Sequence, residues 1–187
     1  VRPGQTLFCF QHFAPNRILL ERMLEAKVSC VAYETVTDTA GELPLLAPMS
    51  QIAGRLSIQV GAWALQMANG GSGVLLSGIP SVAPGKVVII GAGTVGANAA
   101  HVAVGMGADV TVLALNASRL AQLERAYPGK IKARLSEPLI LAEHVADADL
   151  VIGAVSIAGK QPPKLISREL LRKMRPGSVL VDVSMEQ

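Results

Sequence analysis

The sequence predicts an α/β protein: a doubly wound parallel sheet, preceded by part of a second, smaller α/β domain. Three observations predict it. From Lys86 onward, apolar strand-like runs alternate with helical stretches. Lys86-Val87-Val88-Ile89-Ile90 holds four β-branched apolar residues in a row, the pattern of a strand covered on both faces. Gly91, Gly93 and Gly96 follow at the G-x-G-x-x-G spacing. The first glycine permits the turn out of the strand. The second lets a diphosphate approach bare backbone, and the third lets the next helix pack close to the sheet. That helix would aim its free N–H groups and positive dipole end at the phosphates. Glycines at this spacing also mark ordinary turns. Here a strand precedes them and a helix and second strand follow, so the unit reads as a Rossmann dinucleotide site.

The elements follow in order. Thr6 to Phe10 is a short strand, and Pro15 stands near the first turn of a helix to about Ala26, with Ile18, Leu19, Met23 and Leu24 apolar. Val28 to Thr35 is a second strand, giving a β-α-β fragment with its own parallel pairing. Thr37 to Pro48 is loop-like, broken by Gly41, Pro44 and Pro48. Ser50 is a candidate N-cap for a long helix to about Met67. Ile52, Leu56, Val60, Trp63 and Met67 form one stripe on it, suited to core or subunit packing. Asn69-Gly70-Gly71 ends this helix.

Beyond the glycine-rich turn, Asn98 to Met106 is a small-residue helix able to lie flat on a sheet, and Asp109 to Leu115 the next buried strand. Ser118 is the expected cap of a helix to about Tyr127. Lys130 to Ala133 is a weak, edge-like strand, and Ser136-Glu137-Pro138 opens a helix to about Val145. Leu150 to Ala154 is a buried strand and Val155 to Pro163 a loop. Ser167 caps a helix to Met174, and Ser178 to Val183 is the last strand.

At 187 residues the chain suits one full domain and part of another. The long helix is a natural connector, which divides the chain into 1–48 and 49–187. Aromatic residues make up only 3%, arguing against a base-stacking surface for nucleic acid. The net charge of +3 is scattered, not gathered into a polyanion-binding patch. Cys9 and Cys30 lie in apolar strand-like runs and read as buried free thiols of a reducing compartment, hence a cytoplasmic location. No Cys/His cluster has zinc spacing, so no metal is expected. Val87 to Ala108 carries no formal charge, but its glycines favour strand–turn–helix over a membrane span. No signal peptide is evident.

With these segments placed, the chain resembles the alanine dehydrogenase family, related to the nucleotide-binding domain of proton-translocating transhydrogenases. The resemblance rests on short matches in a fixed order: Arg2-Pro3-Gly4-Gln5, His12 with Ala14-Pro15, Ala32-Tyr33-Glu34-Thr35, Leu45 to Ser50, Ala53-Gly54-Arg55 and Gln59-Val60-Gly61-Ala62. Asn69-Gly70-Gly71, Gly91 to Gly96, Asp149 to Ala154, Pro163-Lys164-Leu165, and Pro176-Gly177-Ser178 to Asp182 continue it. Family members are about twice this length. The resemblance therefore implies a central portion, without the family's opening segment, which carries its substrate-binding Arg and Lys, or the part after Gln187.

What the resemblance implies is oxidation of L-alanine by hydride transfer to a nicotinamide, then imine hydrolysis to pyruvate and ammonia. His12 falls at the family's catalytic histidine, and a histidine suits proton transfer near neutral pH; a half-buried structural histidine is the alternative. Glu186 falls where the family has a catalytic aspartate, one methylene longer, and is otherwise an exposed acid. His101 and His144 read as surface residues. The carboxylate that ends the second strand and binds the adenosine ribose is replaced by Ala114. The cofactor expected is NAD, with tolerance of NADP because that acid is missing. Arg119 stands where it can meet a 2′-phosphate, or is a solvated charge. Further cofactor contacts are implied at Ser50, Thr94, Ser136, Val155, Ser156, Val183, Ser184 and Met185, with Ser50 and Ser136 equally readable as helix caps. The family forms homo-oligomers, commonly hexamers. A transhydrogenase-type domain is an alternative, lowered by the lack of an Arg-x-Gln loop before the long helix. A non-catalytic nucleotide-binding module is another.

Overall fold

The computed structural model describes residues 1–13, 15–155 and 164–184. From Lys86 on it forms five parallel strands: β3 (Lys86–Ile90), β4 (Asp109–Ala114), β5 (Ile131–Leu135), β6 (Leu150–Gly153) and β7 (Val179–Asp182). They are ordered β5-β4-β3-β6-β7. β3 lies at the centre with Ile90 paired to Leu113 on one side and Gly153 on the other. Its alternation divides two cores. Val87 and Ile89 face α3 (Thr94–Gly105) and α4 (Ala117–Ala126), together with Ile58 and Leu65 from α2 (Ala47–Ala64) and its end. Val88 and Ile90 face α5 (Pro138–Asp147) and α6 (Arg168–Leu171) through Leu141, Val145 and Leu170. Helices thus cover both faces, as a run of unbroken apolar strands requires. α3 lies flat on the sheet through fully buried Ala99, Ala100 and Ala103.

The opening segment pairs β1 (Thr6–Cys9) with β2 (Ser29–Ala32) in parallel, joined by α1 (Arg17–Glu25). Tyr33 packs edge-on against Phe8 and Phe10, with ring centroids at 4.6 and 5.3 Å. The expected burial of both thiols does not hold: Cys9 is exposed and Cys30 half-buried. No α1 residue is fully buried; Leu19 and Met23 are half-buried.

Of the two packings expected for the stripe on the long helix, core and subunit contact, the single chain excludes the core one. Ile52, Leu56, Val60, Trp63 and Met67 remain about half to four-fifths exposed, and Met67 lies beyond the helix. The face turned inward carries Ser50, Gly54, Ser57, Ile58 and Gly61. A Cβ at Gly54 would lie 2.2 Å from the Val95 carbonyl oxygen, and one at Gly61 2.5 Å from Leu150 Cδ1. Close approach of small residues to α3 and β6 sets the orientation, and the bulky stripe is left outside.

Several helix starts also shift. Ser50 is not the cap of α2; it sits in the second turn, its N–H donating to the Leu46 carbonyl at 3.1 Å. Pro48 stands in the first turn, where its missing N–H leaves nothing unpaired. Asn116, not Ser118, caps α4 by accepting the Arg119 N–H at 3.1 Å. Ser136 precedes the Glu137 cap position and donates its N–H to the Ala114 carbonyl. Ser167 caps α6 as expected, accepting the Leu170 N–H. β2 stops at Ala32 because Tyr33–Thr35 closes a single 3-10 turn. His101 is exposed and bonded to the Tyr127 hydroxyl at 2.9 Å, whereas His144 is half-buried.

Candidate functional site

A cleft of about 810 Å³ opens at the carboxyl ends of β3, β4 and β6, with walls from the loop before α2, the end of β5 and Lys164-Leu165. The chain runs outward from β3 to β5, then returns to add β6 and β7 on the other side. The cleft lies where the strand order reverses, the place where open α/β sheets bind ligands.

The three glycines have separate jobs. Gly91 has φ 115°, and a Cβ there would meet the Ala154 carbonyl oxygen at 2.4 Å. Gly96 is buried under the turn: its Cβ would lie 1.9 Å from the Gly91 carbonyl oxygen. It packs the helix on the turn and does not line the cleft. Gly93 does line it. Its φ of −79° suits any residue, and an added Cβ would meet only Arg119 Nη1, at 3.5 Å. Gly93 precedes α3, with no side chain capping that helix. The first-turn N–H groups are therefore open to an anion.

Ser50, Thr94, Ala114, Arg119, Ser136 and Val155 line the same cleft. Ala114 ends β4 at 8% exposure, with an apolar methyl where the ribose acid was expected. The Arg119 guanidinium reaches the Gly93 turn, its Nη1 3.5 Å from a Cβ added there. Glu42 and Leu43, which sequence reasoning did not single out, also line it, as do Leu46 and Lys164, which enter the family resemblance only as matched residues with no contact role. Their signal lay in position: each falls in a segment joining elements around strand ends. Val183 and Ser184 follow β7 and do not line the cleft; the Val183 N–H donates to Gly153 and the Ser184 N–H to the Asp182 carboxylate. Ser156, Met185 and Glu186 lie outside the described residues.

His12 belongs to the small sheet and does not line the cleft. It is exposed, with φ 51°. Its N–H donates to Glu34 Oε1 at 2.8 Å, and its ring stacks on Phe10 with centroids 6.0 Å apart. Burial pushes the Glu34 carboxyl up. The backbone N–H groups of Glu34, His12 and Gln11, with the neighbouring His12 charge, outweigh that and hold it below the ordinary carboxylate range. Among the described residues no three His, Cys, Asp or Glu side chains gather to hold a metal.

Fold and cleft together define a Rossmann-type nucleotide-binding domain. Two family models match the chain: Alanine dehydrogenase/PNT, N-terminal domain, over residues 1–53 and Alanine dehydrogenase/PNT, C-terminal domain, over residues 57–187. The alanine dehydrogenase of Mycobacterium tuberculosis is 50% identical over 187 residues, covering 100% of this chain and 50% of its own length. That of Halomonas elongata is 50% identical over 184 residues, covering 98% of this chain and 50% of its own. A solved L-alanine dehydrogenase superposes with TM-score 0.90 at 46% identity, over 98% of this chain and 51% of that one. A transhydrogenase from Sinorhizobium meliloti superposes with TM-score 0.78 at 25% identity, over 98% and 53%. The chain belongs to the alanine dehydrogenase/PNT family, and it spans about half the length of the curated relatives it matches.

Proposed function

We propose that the protein carrying this chain oxidises L-alanine to pyruvate and ammonia, using a nicotinamide nucleotide. The observation that carries this reading is the cradle at Gly93: bare backbone, an uncapped helix start and an adjacent guanidinium, in a chain half identical throughout to enzymes named alanine dehydrogenase. With no side chain at Gly93, a diphosphate can approach the main chain there directly. When bound, the nucleotide supplies the hydride acceptor. Gly93 and the first turn of α3 hold its phosphates, with Ser50, Thr94, Ser136 and Val155 around it. His12 takes a proton from the amine or from water on a ring nitrogen, while the family resemblance assigns Glu186, Ser156 and Met185 to the reactive end; Val183 and Ser184, outside the cleft lining, keep no contact role.

Ala114 offers no acceptor to the ribose hydroxyls and no charge to repel a 2′-phosphate, and Arg119 stands in the same cleft. This supports use of NAD with tolerance of NADP. The protein self-associates, with the hexamer common in the family it resembles as the form expected; the exposed stripe of Ile52, Leu56, Val60 and Trp63 supports self-association. Residues 1–48 form part of the substrate domain and 49–187 the nucleotide domain. Free thiols at Cys9 and Cys30 support a reducing, cytoplasmic setting. Among the described residues no helix is long and apolar enough to cross a membrane.

The test is alanine-dependent formation of NADH and NADPH by the intact protein carrying this chain, beside its His12→Ala variant. Alanine-dependent reduction that His12→Ala abolishes is expected. Absence of alanine dependence would reject the reading, and hydride exchange between two nicotinamides would then support the transhydrogenase-type alternative over a non-catalytic module.

A further inference from the structure

The turn after β1 gives Glu34 a task outside the reaction just described. The chain leaves β1 at Cys9 and bends through Phe10 to Phe13, with His12 in the left-handed region at φ 51°. Side chains with a Cβ rarely adopt that region unless the surroundings impose it. Here the imposing group is one carboxylate. Glu34 accepts the Gln11 N–H on both oxygens, at 3.1 and 3.3 Å, and the His12 N–H at 2.8 Å. Consecutive main-chain donors converging on one anion form a nest. Gln11 is only 5% exposed, so its N–H would have little water to turn to without that acceptor.

Glu34 is itself well placed to act as a fixed point. It sits in the 3-10 turn Tyr33–Thr35 directly after β2, where Tyr33 packs against Phe8 and Phe10 and the Thr35 hydroxyl donates to the Ala32 carbonyl at 3.0 Å. The main chain of His12 is therefore tied to β2, while Phe10 stacks on its ring. Sequence separation of 22 residues hid this contact from pattern reading.

We propose that Glu34 is a positioning residue for His12: it clamps the Gln11 and His12 peptides and so sets where the imidazole starts from, without touching substrate or cofactor. The functional consequence rests on the proton-transfer role given to His12 above. The experiment compares Glu34→Ala, Glu34→Gln and Glu34→Asp in the intact protein, with amide hydrogen exchange at Gln11 and His12, nucleotide titration, and kcat and KM for alanine oxidation. Glu34→Ala should abolish protection of both amides and leave nucleotide affinity within about twofold. It should lower kcat by roughly 30- to 100-fold, the scale on which a misplaced reacting group loses rate. Glu34→Gln, with one acceptor oxygen, should fall between. Glu34→Asp should restore part of the rate.

A double variant separates positioning from general weakening of the fold. If Glu34 acts through His12, Glu34→Ala adds little to the loss already caused by His12→Ala. Equal additional loss in the double variant, unchanged amide protection, or kcat within about threefold of the parent would each overturn the proposal. A parent without alanine-dependent turnover would defeat the proposed function instead; amide exchange would still decide whether the clamp exists.

Discussion

Substituting the middle glycine, Gly93, separates binding from folding, because the site is open and its backbone ordinary. Gly93 has ordinary dihedrals, φ −79° and ψ −166°, and an added methyl would meet only the end of the Arg119 side chain at 3.5 Å. Gly93→Ala should therefore shift unfolding free energy by about 0.5 kcal/mol or less. The same methyl projects into the cleft, where it would hold a diphosphate off the N–H groups of α3 by about the length of a C–C bond, roughly 1.5 Å. Losing one charge-assisted hydrogen bond costs about 1.5–3 kcal/mol, which is a roughly ten- to hundredfold weaker Kd. Gly91→Ala is the contrasting control. Its φ of 115° and the 2.4 Å approach to the Ala154 carbonyl combine backbone strain with overpacking. Together these cost on the order of 2–5 kcal/mol. Urea unfolding followed by far-UV circular dichroism reads the first quantity, and calorimetric titration with NADH the second. Gly93→Ala binding nucleotide like the parent, or losing as much stability as Gly91→Ala, would refute the assignment of the cradle.

Three further changes probe other parts of the argument. Ala114→Asp should strengthen NADH binding and weaken NADPH binding, each by roughly tenfold, about 1.4 kcal/mol, when both are titrated side by side. Gly54→Ala should lower the urea midpoint by an amount equivalent to about 1–3 kcal/mol, because its Cβ must displace the Val95 carbonyl at 2.2 Å or push α2 off α3. The last concerns acid. A hydrogen bond from Lys86 holds the Asp147 carboxyl below its usual range; burial opposes it, and attraction from Arg175 and Lys86 adds to the lowering. The folded value lies below the unfolded value of about 3.9. This stabilisation is thus complete above that pH and fades as pH falls through the folded value. Asp147→Asn should flatten the acid limb of stability against pH, by under about 1 kcal/mol because the pair is half exposed.

Much of the nucleotide domain was legible because its signals are local. Four β-branched residues, a glycine-spaced turn and an alanine-rich helix are decided by neighbours in the chain, and all three stand where their pattern predicts. The cleft was legible in part for the same reason: Gly91, Gly93, Thr94 and Ala114 lie at the ends of those elements. Helix starts were less legible, since serine, asparagine and proline all suit them and the choice between Asn116 and Ser118 turned on which side chain reached the free N–H.

The sequence by itself determined the strand–turn–helix order and the spacing that bares backbone at Gly93, both properties of residues a few positions apart. Only the tertiary structure decided which face of α2 turned inward. There the approach of Gly54 and Gly61 to Val95 and Leu150 prevailed over the larger apolar stripe, because distance of approach depends on residues brought together across about 40 to 90 positions. The tie from Glu34 to His12 is of the same kind. An acid and two peptide N–H groups carry no pairing signal until β1 and β2 lie side by side.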